Sequence, residues 1–246
     1  MRPSEFRDPV AMVNFFDRLK TTYPFPDPAT ADSSGLIAYG GDLAPERLLS
    51  AYAHGVFPWY ESGPILWFDP EPRFVLRLED LHVSRSLAKV LRHPLFALEL
   101  DIGFERVIRG CAETPRPGQS GTWITPDMIE AYCRLHDLGF AHCVSVWEAG
   151  ELVGGIYGIS LGAGFFGESM FSRRPNASKV AFVHLVRQLL EWRFHFLDCQ
   201  VRNEHLASLG AGEWCRSDFH EALDRALGEP TRRGRWRWSR SPGVEA

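Results

Sequence analysis

The sequence predicts an α+β fold: a small N-terminal domain over residues 1–72, then a larger mixed-sheet domain over residues 73–246. Three observations carry this. Residues 142–171 alternate as strands, HCVSVWE and ELVGGIYGIS and FFGESMFS, with turns at Ala149-Gly150 and Gly162–Gly164. A helix follows from Asn176–Ser178 through Val180, Val183, Leu185, Leu189 and Leu190, and it leads into an apolar strand beginning at Phe196. Before residue 72, prolines and aromatics crowd together too densely for the same pattern to hold. Three strands, a helix, a strand and a helix is the order of an acyltransferase-type mixed sheet.

Taken from the N-terminus, Asp8-Pro9 reads as an N-cap with proline at N1, opening a helix through Met12, Phe15, Phe16 and Leu19. A proline-rich loop follows, then a helix from Pro45 to His54 closed by Gly55 as the C′ residue. Phe57-Pro58-Trp59-Tyr60 and Pro64 to Pro70 are expected to form no regular element but a rigid aromatic surface, either a stacking platform or a hydrophobic plug between domains. A short strand spans residues 74–78. A helix over 84–91 then carries Arg85, Lys89 and Arg92 at i, i+4 and i+7, a stripe that is either a solvated face or a track for phosphates. A strand at 96–100 and a helix at 104–111 precede the loop 114–121, and Thr125-Pro126 caps a helix to about Leu138. Gly154 and Gly155 inside a strand suggest a bulge or the close approach of a ligand. After the strand at Phe196 come a short helix opened by Asn203, a helix over 218–227 and a basic-aromatic tail, TRRGRWRWSR.

A net charge of −4 excludes a protein that binds nucleic acid through its overall charge, so any polyanion site is a local patch. Five cysteines with no C-x-x-C pair, no apolar leader and no apolar run of about 20 residues fit a cytoplasmic protein with reduced thiols and no membrane association.

Chemistry is expected at FLDCQVRNEHLASLG, residues 196–210. Residues two apart on a strand share a face, so Asp198 and Gln200 project together while Leu197, Cys199 and Val201 face away. A thiol enzyme built on Cys199 or Cys133 lacks a basic partner fixed by the sequence. A zinc site from Cys133, His136, His142 and Cys143 matches no spacing that holds the metal. Coenzyme A would need a glycine-rich turn before the helix at 176, and Ser172-Arg173-Arg174-Pro175-Asn176-Ala177-Ser178 offers a proline and no glycine.

Six motifs remain, in order: Gly40-Gly41-Asp42-Leu43, Gly55-Val56-Phe57-Pro58-Trp59, Gly121-Thr122-Trp123-Ile124-Thr125, Gly167-Glu168-Ser169-Met170-Phe171-Ser172, Asn176-Ala177-Ser178-Lys179 and Asp198-Cys199-Gln200-Val201. Together, across roughly residues 25–227, they resemble the bacterial leucyl/phenylalanyl-tRNA–protein transferases. The resemblance implies an acetyltransferase-like (GNAT-type) catalytic domain behind the small N-terminal one. It implies transfer of leucine or phenylalanine from leucyl-tRNA or phenylalanyl-tRNA to proteins with N-terminal Lys or Arg, marking them for degradation. It implies no cofactor and no metal, and a monomer is expected.

On that resemblance the donor side chain enters an apolar pocket formed by Trp59, Trp123, Ile156, Leu185 and Leu197, and the terminal adenosine stacks on Trp59 or its neighbours. The tail arginines, like the Arg85 stripe, are candidates for backbone phosphates. Glu168 pairs with the acceptor's cation, unless it is bridged to Arg173 or Arg174. Asp198, Gln200 and Asn203 sit where the amide forms, the amine attacking the ester directly with Gln200 held by Asp198. An amide oxygen binds a proton poorly, whereas an α-amine of pKa about 7.7–8.0 is already roughly a tenth neutral at pH 7. Gln200 is therefore expected to orient the amine, not to titrate, with the ribose hydroxyls relaying the proton. Two alternatives are an idle module that binds the tRNA 3′ end, and a related transferase with another acceptor.

Overall fold

The computed structural model describes residues 9–92, 95–114, 122–240 and 242. The Asp8 cap, the loop at 115–121 with Gly121 and the last tail residues lie outside them. Helix α1 (Pro9–Thr22) buries Phe15, Phe16 and Leu19, and the Ser50 hydroxyl on α2 (Pro45–Ala53) donates to the α1-terminal carbonyls of Leu19 and Tyr23. Gly55, at φ +74°, follows α2 as expected.

The aromatic stretch is more regular than its composition suggests. Strands β1 (Leu36–Tyr39), β2 (Phe57–Pro58) and β3 (Leu66–Phe68) form a three-stranded antiparallel sheet in the order β1-β3-β2. Proline is tolerated in β2 because that strand lies at an edge. Within this sheet Phe57 and Trp67 are buried, the Trp67 indole donating to the Gly40 carbonyl, while Trp59 stays 39% exposed. Part of the aromatic surface is therefore packed away, while Trp59 keeps a face open to solvent.

The second sheet has seven strands in the order β10-β4-β9-β8-β7-β6-β5. They are β4 (Arg73–Arg77), β5 (Ala97–Leu100), β6 (Ala141–Glu148), β7 (Glu151–Leu161), β8 (Gly164–Ser172), β9 (Phe196–Gln200) and β10 (Gly212–Trp214). Only β8 and β9 run parallel, joined by helix α6 (Ala177–Glu191). The α+β reading and the mixed sheet therefore hold. Strand β10, three residues long and holding Gly212 and Glu213, carries no periodic signal and went unpredicted.

Helices α4 (Phe104–Glu113) and α5 (Pro126–Asp137, capped by the Thr125 hydroxyl) pack on one side of this sheet and α6 on the other, giving two apolar clusters. Gly154 and Gly155 mark that packing, not a ligand. A Cβ on Gly154 would come 2.6 Å from the Ala177 Cβ on α6, and one on Gly155 would come 3.0 Å from Val107 on α4. The β6–β7 register also slips beside them, at Val146/Trp147.

The basic helix α3 (Arg85–Arg92) presents Arg85, Lys89 and Arg92 to solvent. The tail packs along the seven-stranded sheet and α6. Trp236 is buried, stacked on His142 with ring centroids 3.7 Å apart, and its N–H donates to Asp101, while Arg233 donates to the Leu138 carbonyl. Trp238 and Ser239 bond to β5 and α6 through Leu98 and Gln188. No helix among the described residues is long and apolar enough to cross a membrane.

Candidate active site

The site begins where β9 ends. Val75 on β4 faces Asp198 and Phe74 faces Gln200, so Cys199 is one residue too many for the ladder. Gln200 takes a left-handed backbone, φ +66°. A bulge of this kind re-aims the side chain beyond it. The two-face expectation therefore fails: Leu197, Asp198, Cys199 and Gln200 all line one cavity, and the Asp198 and Gln200 side chains reach different partners.

Asp198 is fully buried and gripped by Arg73, whose Nε and Nη2 lie 2.9 and 2.6 Å from its two oxygens. Its Oδ1 also accepts the backbone N–H of Gln200 at 2.9 Å. Asp198 thus holds Gln200 by the main chain, not by the side-chain amide. That amide donates instead to Glu168 Oε1, at 2.9 Å. A carboxylate offers only acceptors, so this contact turns the Gln200 carbonyl oxygen away from Glu168.

Glu168, on β8, is buried against two tyrosines. The Tyr52 hydroxyl on α2 lies 2.7 Å from Oε1, the Tyr132 hydroxyl on α5 lies 3.0 Å from Oε2, and the two hydroxyls hydrogen-bond each other. Three oxygen–oxygen contacts need three hydrogens, and the hydroxyls supply two. The ring closes when Glu168 carries the third. Burial acts the same way: it pushes the Glu168 pKa up to about 7, the nearby Asp198 charge adding to the effect and the bonds from Tyr52, Tyr132 and Gln200 opposing it. No bridge to Arg173 or Arg174 exists, because those arginines pair with Glu113 and Glu148.

The cavity has a volume of about 230 Å³. Trp59, Trp123, Ile156 and Leu197 line it, together with Glu168, Asp198, Gln200 and Asn203. Leu185 does not. It is packed in the core under α6, and Phe182, about 4.5 Å nearer the helix start, takes the expected place. Met170 and Leu206 complete the apolar wall and Phe57 backs it from the small sheet. Asn203 stands at the rim with its side-chain oxygen occupied, accepting the His205 N–H as the N-cap of α7 (Glu204–Ala207). His205 also lines the cavity; burial, then the Lys179 charge, lowers its pKa, so it is neutral near pH 7.

Sequence reasoning missed Arg73, Tyr52 and Tyr132. Each sits in an ordinary core pattern, and no local spacing ties it to partners 36 to 125 positions away. His205 had a signal, two residues after Asn203 in the stretch already singled out.

The thiol reading fails on electrostatics: burial pushes the Cys199 thiol far up and the Cys133 thiol up to about 11, so neither is a nucleophilic thiolate. Cys133, His136, His142 and Cys143 do not converge. The His136 Nδ1 bonds to the Ala141 carbonyl and the His142 Nδ1 to Asp101. Among the described residues no group of three or more His, Cys, Asp or Glu is arranged to hold a metal.

The family matches and the similar proteins agree with one another. The family described as Leucyl/phenylalanyl-tRNA protein transferase matches residues 75–224, and its N-terminal domain matches residues 41–71. Proteins named leucyl/phenylalanyl-tRNA–protein transferase from Myxococcus xanthus and from Anaeromyxobacter sp. strain Fw109-5 are each 58% identical to this chain. The alignments cover 86% of this chain and 91% of the first protein, and 89% and 94% for the second. A protein of the same name from Nitratidesulfovibrio vulgaris is 55% identical over 87% of this chain and 92% of its own. Among solved structures, L-PGS from Bacillus licheniformis matches with a TM-score of 0.38 at 10% identity, over 64% of this chain and 51% of that one. On the strength of the two family matches and of relatives aligned over nearly their whole length, the chain belongs to the leucyl/phenylalanyl-tRNA protein transferase family.

Proposed function

We propose that this protein transfers leucine or phenylalanine from aminoacyl-tRNA to the N-terminal Lys or Arg of acceptor proteins. The supporting observation is a cavity with an apolar and aromatic wall that ends on three buried polar side chains, Glu168, Asp198 and Gln200. Stacking a base needs none of the three, which disfavours an idle binding module. The apolar wall takes the donor's side chain: Trp123, Ile156, Leu197, Met170 and Phe182 offer shape, and one methylene there discriminates by about 1–3 kcal/mol. The half-exposed Trp59 takes the terminal adenosine, for about 1–3 kcal/mol of stacking.

The acceptor's α-amine, in its neutral form, attacks the ester carbonyl carbon. The new C–N bond forms, the bond to the ribose oxygen breaks, and the proton lost by nitrogen ends on that oxygen, relayed by the neighbouring ribose hydroxyl. Gln200 orients the amine through its carbonyl oxygen, which the contact to Glu168 has turned away from the carboxyl. Once Glu168 is ionised, Tyr52, Tyr132 and Gln200 donate to three of its roughly four acceptor positions, leaving one for the acceptor's side-chain cation. Asn203 holds the rim by capping α7.

The test is transfer of labelled leucine from leucyl-tRNA to a peptide beginning with arginine. The expected result is labelled peptide, and no label on the protein when the peptide is withheld. Label retained covalently on the protein would refute direct attack, and tRNA binding without transfer would leave only the binding module.

A further inference from the structure

Gln200 holds its place against its own backbone preference. A left-handed conformation is rare outside glycine, asparagine and aspartate, and such residues cluster where a side chain must be aimed. Two main-chain hydrogen bonds hold it, its own N–H to Asp198 Oδ1 and, across it, the Val201 N–H to the Cys199 carbonyl at 2.8 Å, while its side-chain amide is held by Glu168. The ladder to β4 is already broken here by the bulge, and the Asp198 bond is the one that leads back to Arg73.

Asp198 is fixed in turn from outside the cavity. Arg73 grips both its oxygens in a fork and does not itself line the cavity. The guanidinium lies between the rings of Phe57 and Phe219, 4.9 and 4.4 Å from their centroids. Its remaining nitrogen donates to the Gly55 carbonyl at 2.9 Å and meets Asp69 at 3.4 Å. Asp69 is buried and held from α8 (Arg216–Leu227) by His220 at 2.9 Å and Arg216 at 3.3 Å. Planarity, two stacked rings and a bidentate grip are properties lysine lacks.

We propose that Arg73 is a positioning residue for the transfer reaction: through Asp198 it locks Gln200 in its left-handed conformation and so aims the amide at the attacking amine. Arg73 touches no substrate. It ties the small sheet, through Gly55 and Phe57, to the end of β9, so the donor's stacking surface and the aligning amide share one anchor. The proposal rests on the reading of Gln200 given above.

The experiment is a double-mutant cycle of Arg73→Lys and Gln200→Ala, read as kcat and KM in leucyl transfer to an arginine-starting peptide. Arg73→Lys is expected to lower kcat by about tenfold or more with KM for leucyl-tRNA within about twofold, since the interaction lost matters only in the transition state. In the Gln200→Ala background the same substitution should cost less than about twofold, because two residues acting as one unit are not additive. Multiplied losses, or a kcat for Arg73→Lys within about twofold of wild type, overturn the proposal. If Arg73→Lys does not fold, Phe219→Leu takes its place in the cycle; it removes one stacked ring and keeps every ion pair. The failures are distinguishable. A wild-type rate for Gln200→Ala defeats the reading of Gln200 itself, whereas a slow Gln200→Ala with an additive cycle defeats the role of Arg73 alone.

Discussion

Glu168, Tyr52 and Tyr132 bring four oxygens into three contacts with two hydroxyl hydrogens between them, and from that count a pH dependence follows. The Glu168 pKa is raised, so the group is neutral below about 7 and ionised above it. Only the ionised form pairs with an acceptor's lysine or arginine. The KM for an arginine-starting peptide should therefore fall as pH rises through about 7, and Glu168→Gln should abolish that dependence. The limb due to the acceptor's own amine, near pKa 7.7–8.0, should remain in kcat. Gln200→Glu supplies a second residue-scale test. If Gln200 orients and does not titrate, wild type has no limb belonging to this position, and the variant gains an acidic one in its pH–rate profile.

At the scale of elements, the sheet admits helices closely only where glycine leaves room. Gly154→Ala would set its Cβ against Ala177, and overpacking of this kind costs typically about 1–3 kcal/mol. Urea denaturation should show that loss with an unchanged slope. Asn203→Ala removes the cap of α7 and should cost about 1 kcal/mol, raising KM through a looser rim while kcat falls less than in Gln200→Ala. These elements also show what the sequence made legible. Strands β6 to β9 and helix α6 announce themselves by alternation and by turn glycines, which is why the mixed sheet could be read in advance. Strands β1, β2, β3 and β10 are two to four residues long, too short for any period, and proline and aromatics mask three of them. The β9 bulge was also out of reach. It depends on the pairing with β4, more than 120 positions away, and without it alternation misassigns the faces of Asp198 and Gln200.

Across the whole molecule, the cavity lies where three distant parts of the chain meet: the small sheet, the approach to α5, and the inner strands β7 to β9. Four motif residues, Glu168, Asp198, Gln200 and Asn203, were found because each stands in a recognisable stretch. Their supports, Arg73, Tyr52 and Tyr132, were not, because burial alone separates a supporting tyrosine from a core one. The packing of the basic-aromatic tail was not legible for a related reason, although its Arg232, Arg235, Arg237 and Arg240 stay exposed. Its composition is that of a phosphate-binding arm, while its tryptophans are spent on packing. Trp236→Ala should accordingly destabilise the protein by about 3–5 kcal/mol, seen as a lower denaturation midpoint, and leave leucyl-tRNA affinity nearly unchanged in the folded fraction. The measurement that bears most directly on the account is transfer of labelled leucine from leucyl-tRNA to two peptides, one beginning with arginine and one with aspartate, by wild type and by Glu168→Gln. The account predicts transfer by wild type to the arginine peptide alone, weakened in the variant through a higher KM for that peptide. Equal transfer to the aspartate peptide would contradict the assignment of Glu168 to the acceptor.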